Sequence, residues 1–133
     1  MITGLNHLTV AVSDLDRSCQ FYGELLGIKM MARWDTGAYL QAGSLWLCLS
    51  LDKAIPAKDY THYAFTVSEG TIAEWLGKFN SAGVEQWREN RSEGSSLYFL
   101  DPDGHKLELH VGDLNSRLSS IQKKPYKGFT LFD

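Results

Sequence analysis

Residues 5–15, LNHLTVAVSDL, return at residues 60–70 as YTHYAFTVSEG. In both stretches a histidine stands near the start of a β-prone run that closes with Val-Ser-acidic. His7 aligns with His62, Val12 with Val67 and Ser13 with Ser68, all at one constant offset. Each run reads as a strand, and each leads into a helical pattern. The first helix carries Leu15, Cys19, Tyr22 and Leu26, with Ser13 or Asp14 as its cap. The second carries Ile72, Trp75, Leu76 and Phe79. Both stop at a glycine followed by a β-branched residue, Gly27-Ile28 and Gly83-Val84, where glycine suits a left-handed C-cap.

Three further strands follow each helix. KMMARW, GAYLQAG and SLWLCLSL belong to the first half, and VEQWREN, SSLYFLD and HKLELHV to the second. Between the last two lies DPDG, with proline set for the second position of a tight turn and a glycine free to take positive φ. The chain is therefore two βαβββ modules, an α+β fold. Module one covers 1–51, a linker 52–59, module two 60–112, and a C-terminal helix and tail 113–133. Neither module buries both faces of its own sheet, so two must combine, within one chain or across a dimer. A short linker, DKAIPAKD, favours a homodimer with modules exchanged between chains.

Composition narrows the class. A chain of 133 residues with 44% hydrophobic and 22% charged residues has the makeup of one soluble globular domain. A net charge of −3 gives no reason to expect nucleic acid. No apolar run approaches the roughly 18 residues of a membrane span, and MITGLNHL lacks a signal-peptide pattern. Two cysteines, Cys19 and Cys48, are too few for a disulfide framework, which points to the cytoplasm.

The last strand poses the chemical question. In HKLELHV, Lys106, Glu108 and His110 share one face and Leu107 and Leu109 the other. Superposing the modules sets Cys48 opposite Glu108, with Trp46 two residues earlier on the same face. A two-fold repeat then offers His7, His62 and Glu108 to one cavity. Cys48, between leucines, reads as a small buried hydrophobe. Two imidazoles and one carboxylate leave coordination positions open, as a catalytic metal requires. Nitrogen and oxygen donors suit Mn²⁺, Fe²⁺ or Zn²⁺ alike.

These paired modules with His…His…Glu resemble the vicinal oxygen chelate superfamily of glyoxalases, bleomycin resistance proteins and dioxygenases. ARWDTGAYL, GSLWLCLS, DYTHYAF, NRSEGSSLYFLDPDGHKLELHVGDL and KPYKG further resemble that superfamily's fosfomycin resistance glutathione transferases along nearly the whole chain. The resemblance implies a homodimeric enzyme, dependent on manganese (Mn²⁺) and potassium (K⁺), that opens the epoxide of fosfomycin with the glutathione thiol. It implies His7, His62 and Glu108 as metal ligands and Asn90, Ser92, Gly94 and Ser96 as the potassium loop. Thr9, Tyr39 and Arg117 take catalytic roles, with Tyr39 assisting thiol ionisation. Trp46, Tyr60, Arg88, Ser92, Tyr98 and Arg117 meet the phosphonate substrate; Trp34, Tyr39 and Arg91 meet glutathione. One position departs from the family pattern: WRENRSEG places Arg88 where lysine is expected, a planar fork in place of a point charge. An Fe²⁺ extradiol dioxygenase, a fosfomycin hydrolase and a metal-free antibiotic-sequestering protein are the rival readings within the superfamily.

Overall fold

Each half of the repeat builds its own four-stranded mixed sheet. The computed structural model describes residues 1–89 and 95–132. The first half contains β1 (His7–Val12), α1 (Leu15–Cys19), β2 (Lys29–Trp34), β3 (Gly37–Ala42) and β4 (Leu45–Leu51). The second contains β5 (Tyr63–Thr66), α2 (Ile72–Ala82), β6 (Gln86–Arg88), β7 (Ser96–Leu100) and β8 (Lys106–His110), and α3 (Leu114–Lys123) follows. Strand order is β1-β4-β3-β2 in one sheet and β5-β8-β7-β6 in the other, the same topology twice. β1 runs parallel to β4 and β5 parallel to β8; the remaining pairs are antiparallel.

The chain packs as two compact units. One comprises Met1–Thr61 with Asp101–His105, the other His62–Leu100 with Lys106–Asp133. In the first, Val12, Tyr22, Leu40, Leu47 and Leu49 are fully or almost fully buried. In the second, Phe79 of α2 packs on Phe99 of β7 with ring centroids 4.6 Å apart, and Leu107 is equally inaccessible. Each such side chain contributes about 1.5–3 kcal/mol by leaving water.

The helix starts and stops follow local chemistry. Asp14 caps α1 by accepting a hydrogen bond from the Arg17 backbone N–H, and Asp113 with Ser116 forms a reciprocal capping box on α3. Gly83 ends α2 in the left-handed conformation at φ 69°. The first helix departs from the expected regular α-helix. After Cys19 it widens into a π-helical stretch, Gln20–Leu25, closed by Leu26 N–H donating to Phe21 O at 2.9 Å and Ile28 N–H to Tyr22 O at 3.0 Å. The extra residue per turn lets Phe21, Tyr22 and Leu26 all bury while the Tyr22 hydroxyl donates to Asp101 Oδ2 at 2.7 Å.

The DPDG turn joins β7 to β8 and belongs to the first unit. Asp101 Oδ1 accepts from the backbone N–H groups of Asp103 and His105, while Asp103 accepts from Ser13 and Arg17. The His105 ring donates from Nε2 to Ala11 O at 2.8 Å, which makes this histidine a structural tie. Among the described residues no helix is long and apolar enough to cross a membrane.

Candidate active site: an aromatic cavity and a buried histidine–glutamate pair

In the first unit the strands β1, β4 and β3 present one face lined by His7, Thr9, Trp46, Cys48 and Tyr39. Register explains the grouping: His7 lies beside Trp46, Thr9 beside Cys48, and Cys48 beside Tyr39. Together with Trp34, Thr36, Leu49 and Ser50 they enclose a cavity of about 290 Å³. Its aromatic wall is continuous. Trp34 meets Tyr39 edge-on at 4.7 Å between centroids, Tyr39 meets Trp46 at 5.1 Å, and Trp46 meets the His7 ring at 4.6 Å. Gly37 is required here: a Cβ at that position would stand 2.5 Å from Trp34 Cζ2 and 2.9 Å from Leu49 O. Trp34 is thus free to lie back across the neck of its own hairpin.

Asn6, which the sequence did not single out, sets the state of His7. Its Oδ1 lies 2.7 Å from His7 Nδ1. A carboxamide oxygen only accepts, so Nδ1 carries the proton and Nε2 keeps its lone pair. That is the tautomer of a metal-ligating histidine held by an outer partner. A second cavity of about 650 Å³ shares Trp34 and carries Asp14, Asp16, Arg33 and Asp35. Arg33 donates a hydrogen bond to the Asp16 carboxylate, which raises the Arg33 pKa above its ordinary value, and burial pushes the Cys19 thiol up.

The second unit holds a different arrangement. Glu108, at the middle of β8, is 5% exposed, and its Oε1 lies 3.1 Å from His62 Nε2. Tyr98 stands beside Glu108 across the β7–β8 ladder, itself buried. Trp87 and Tyr98 flank the His62 ring at 5.8 and 6.4 Å, and Trp87 anchors itself by donating from Nε1 to Leu107 O at 3.0 Å. Trp87 escaped the sequence reading because a tryptophan in VEQWREN looks like any strand aromatic. The Arg88 guanidinium lies over the Tyr98 ring, 5.2 Å from its centroid. Ser96 is buried, and its hydroxyl donates to Glu108 Oε2 at 2.8 Å.

The remaining expected residues stand as follows. Tyr60 is 62% exposed and is not among the residues lining the aromatic cavity. Arg117 sits half-buried in the first turn of α3. On the same helix Leu114 is exposed, whereas Leu118 and Ile121 are half-buried. Asn90, Arg91, Ser92 and Gly94 lie outside the described residues. Among the described residues no three His, Cys, Asp or Glu side chains are placed to hold one metal ion, and of the expected ligands His7 belongs to the first unit, His62 and Glu108 to the second.

The repeated sheet topology, with a histidine at or just before the first strand of each half and the buried Glu108 on the last strand, points to a family. Residues 4–109 match the Glyoxalase/Bleomycin resistance protein/Dioxygenase superfamily, and the chain belongs to it. Within that superfamily it is 56% identical to the glutathione transferase FosA of Serratia marcescens, over 96% of this chain and 94% of that protein. It is 39% identical to the metallothiol transferase FosB of Staphylococcus haemolyticus, over 97% of this chain and 99% of that one. Among solved structures, the fosfomycin resistance protein FosX of Listeria monocytogenes, in complex with Mn(II) and sulfate, superposes with a TM-score of 0.82 at 30% identity. That match covers 90% of this chain and 98% of FosX.

Proposed function

We propose that the chain is a metal- and potassium-dependent glutathione transferase that opens the epoxide of fosfomycin by thiol addition, and so confers resistance to that antibiotic. One observation carries the reading: a buried Glu108 carboxylate in contact with the His62 imidazole, in a chain so like the Serratia glutathione transferase over almost its whole length. The donor chemistry fits a divalent cation, and the Mn(II) held by FosX supports Mn²⁺ as that ion. A buried carboxylate oxygen beside an imidazole nitrogen is half of a ligand set, and Asn6 leaves His7 Nε2 with its lone pair. His7, His62 and Glu108 are the residues that would hold the ion. Such an ion supplies Lewis-acid stabilisation to the alkoxide that forms as the epoxide C–O bond breaks.

The chain's own residues bind and orient. Thr9 donates a hydrogen bond from its hydroxyl to a substrate oxygen. Arg88, Arg117, Tyr60, Tyr98 and Trp46 form the phosphonate pocket, the guanidinium groups countering its charge. Tyr39 donates a hydrogen bond from its hydroxyl to the glutathione sulfur and favours the thiolate that attacks the epoxide carbon; the thiol proton passes to water, which returns one to the ring-opened alkoxide, and Trp34 stacks against the peptide of glutathione. The wider cavity beyond Trp34 gives room for the rest of the tripeptide. The loop Asn90, Arg91, Ser92 and Gly94, with Ser96, supplies the K⁺ site and a glutathione contact. His7 of one chain completes the ligand set with His62 and Glu108 of another, in a homodimer with exchanged modules. The free thiols Cys19 and Cys48 accord with the cytoplasm, where glutathione is abundant.

The test is to incubate the protein with Mn²⁺, K⁺ and fosfomycin, adding glutathione, cysteine or no thiol, and to follow products by phosphorus NMR. The expected product is the glutathione adduct alone. A diol without thiol indicates a hydrolase, preference for cysteine indicates a metallothiol transferase, and no consumption of fosfomycin overturns the proposal.

A further inference from the structure

Glu108 does not present its two oxygens equally. Ser96 Oγ donates to Oε2 at 2.8 Å, and His110 Nδ1 lies 2.6 Å from Ser96 Oγ and 3.2 Å from the same Oε2. A hydroxyl has one proton to give, and Ser96 gives it to the carboxylate. The His110 nitrogen facing that oxygen must therefore be the donor, an Nδ1–H forked between Ser96 Oγ and Glu108 Oε2. Register places the three together: Ser96 stands directly across from His110, and Glu108 is two residues before His110 on the same face. The group is well removed from water, with Ser96 7% and Glu108 5% exposed and the His110 side chain 15% exposed. Oε1 is turned the other way, toward His62 Nε2.

We infer that Ser96 and His110 form a two-donor bracket that fixes the rotation of the Glu108 carboxylate, so that Oε1 alone is offered to a divalent cation beside His62. The inference rests on the reading of His62 and Glu108 as metal ligands. A carboxylate's terminal torsion is broad and roughly two-fold, so an unbracketed Glu108 exchanges its oxygens and samples one- and two-oxygen ligation. Two donors on Oε2 remove that freedom before any ion arrives. They also occupy Oε2, which leaves Oε1 as the single contact. His110 is thus a positioning residue: its Nδ1 serves the carboxylate oxygen opposite the one that meets His62. Outer partners of this kind change metal affinity by about 10- to 100-fold when removed.

The experiment measures Mn²⁺ affinity by calorimetry, and the electron paramagnetic resonance spectrum of bound Mn²⁺, in potassium-free tetramethylammonium buffer. Omitting K⁺ separates the bracket from the role of Ser96 in the potassium loop. Wild type is measured first; if it binds no Mn²⁺, the metal reading itself falls. With wild type binding, His110→Leu is expected to weaken Mn²⁺ by about 10- to 100-fold and to alter the zero-field splitting. His110→Asn, whose amide N–H can occupy the place of Nδ1–H, is expected to recover most of the affinity and the wild-type spectrum. Ser96→Ala, which removes a single oxygen, is expected to weaken Mn²⁺ by about 10-fold and decides the question if the leucine variant fails to fold. Unchanged affinity in Ser96→Ala or in folded His110→Leu overturns the bracket. So does an asparagine variant no better than the leucine one.

Discussion

Cys48 lies between Thr9 and Tyr39 in the first sheet, and Glu108 lies between Ala64 and Tyr98 in the second. Thr9 and Ala64 are related by the offset of the sequence repeat, so these are one position of one architecture used twice. In the first unit the site around that position is an open cavity walled by Trp34, Tyr39 and Trp46, and its one imidazole is held by Asn6 at the surface. In the second it is closed over a carboxylate with every oxygen occupied, by His62 on one side and by Ser96 and His110 on the other. The duplicated scaffold has thus divided its labour. One copy keeps an open cavity, and the other keeps a buried carboxylate whose desolvation is offset by pre-placed donors.

The division can be broken most severely at Glu108. Glu108→Gln retains the shape but removes the charge, and kcat/KM with fosfomycin is expected to fall on the order of 10³-fold or more, along with Mn²⁺ binding. Cys48→Ala, the change at the corresponding position, should leave Mn²⁺ affinity where it is; comparable losses in both variants would dissolve the contrast. Next in size is Tyr39→Phe. With the hydroxyl's hydrogen bond to the attacking thiolate removed, kcat is expected to drop by about 10²-fold at neutral pH with Mn²⁺ binding unaltered, read from steady-state kinetics and calorimetry. Asn6→Ala frees the His7 ring to choose either tautomer. Because the pair is exposed, Mn²⁺ affinity should weaken only by about tenfold, the low end for an outer partner. The smallest effect is expected at Arg88→Lys, which exchanges the planar fork for the point charge that the resemblance implies: kcat holds, and KM for fosfomycin changes by less than about tenfold, within 1.4 kcal/mol. A KM identical to wild type would remove Arg88 from the substrate pocket.

What the sequence disclosed and what it hid follow from range. The repeat, its histidines, the glycine stops and the DPDG turn are written in neighbouring residues, and the strands KMMARW and GAYLQAG emerge as such. The equivalence of Cys48 and Glu108 was legible because alternation on a strand is rigid. The π-helical widening at Gln20–Leu25 was not, since Leu15, Cys19, Tyr22 and Leu26 fit an α-helix nearly as well; the wider turn is tied to Asp101, far along the chain. His110 could be placed on the face of Glu108, but its action depends on Ser96 in the neighbouring strand. Trp87 is likewise defined only by Leu107 O and the His62 ring. Asn6 precedes its histidine directly, so its signal was present; an asparagine before a strand simply looks like a cap.

The outer strand of each sheet is poorly suited to recruiting another. β2 is exposed along all six residues, is interrupted between Met30 and Ala32, and carries Lys29 and Arg33. β6 has only three residues and an irregular register of its own. β1 and β5 hold no charged side chain apart from the titratable ring that opens β1, and they run without interruption at the opposite borders. Growth of either sheet is therefore discouraged at one margin and permitted at the other. A polypeptide annealing to either sheet through its backbone would thus add beside β1 in the one and beside β5 in the other.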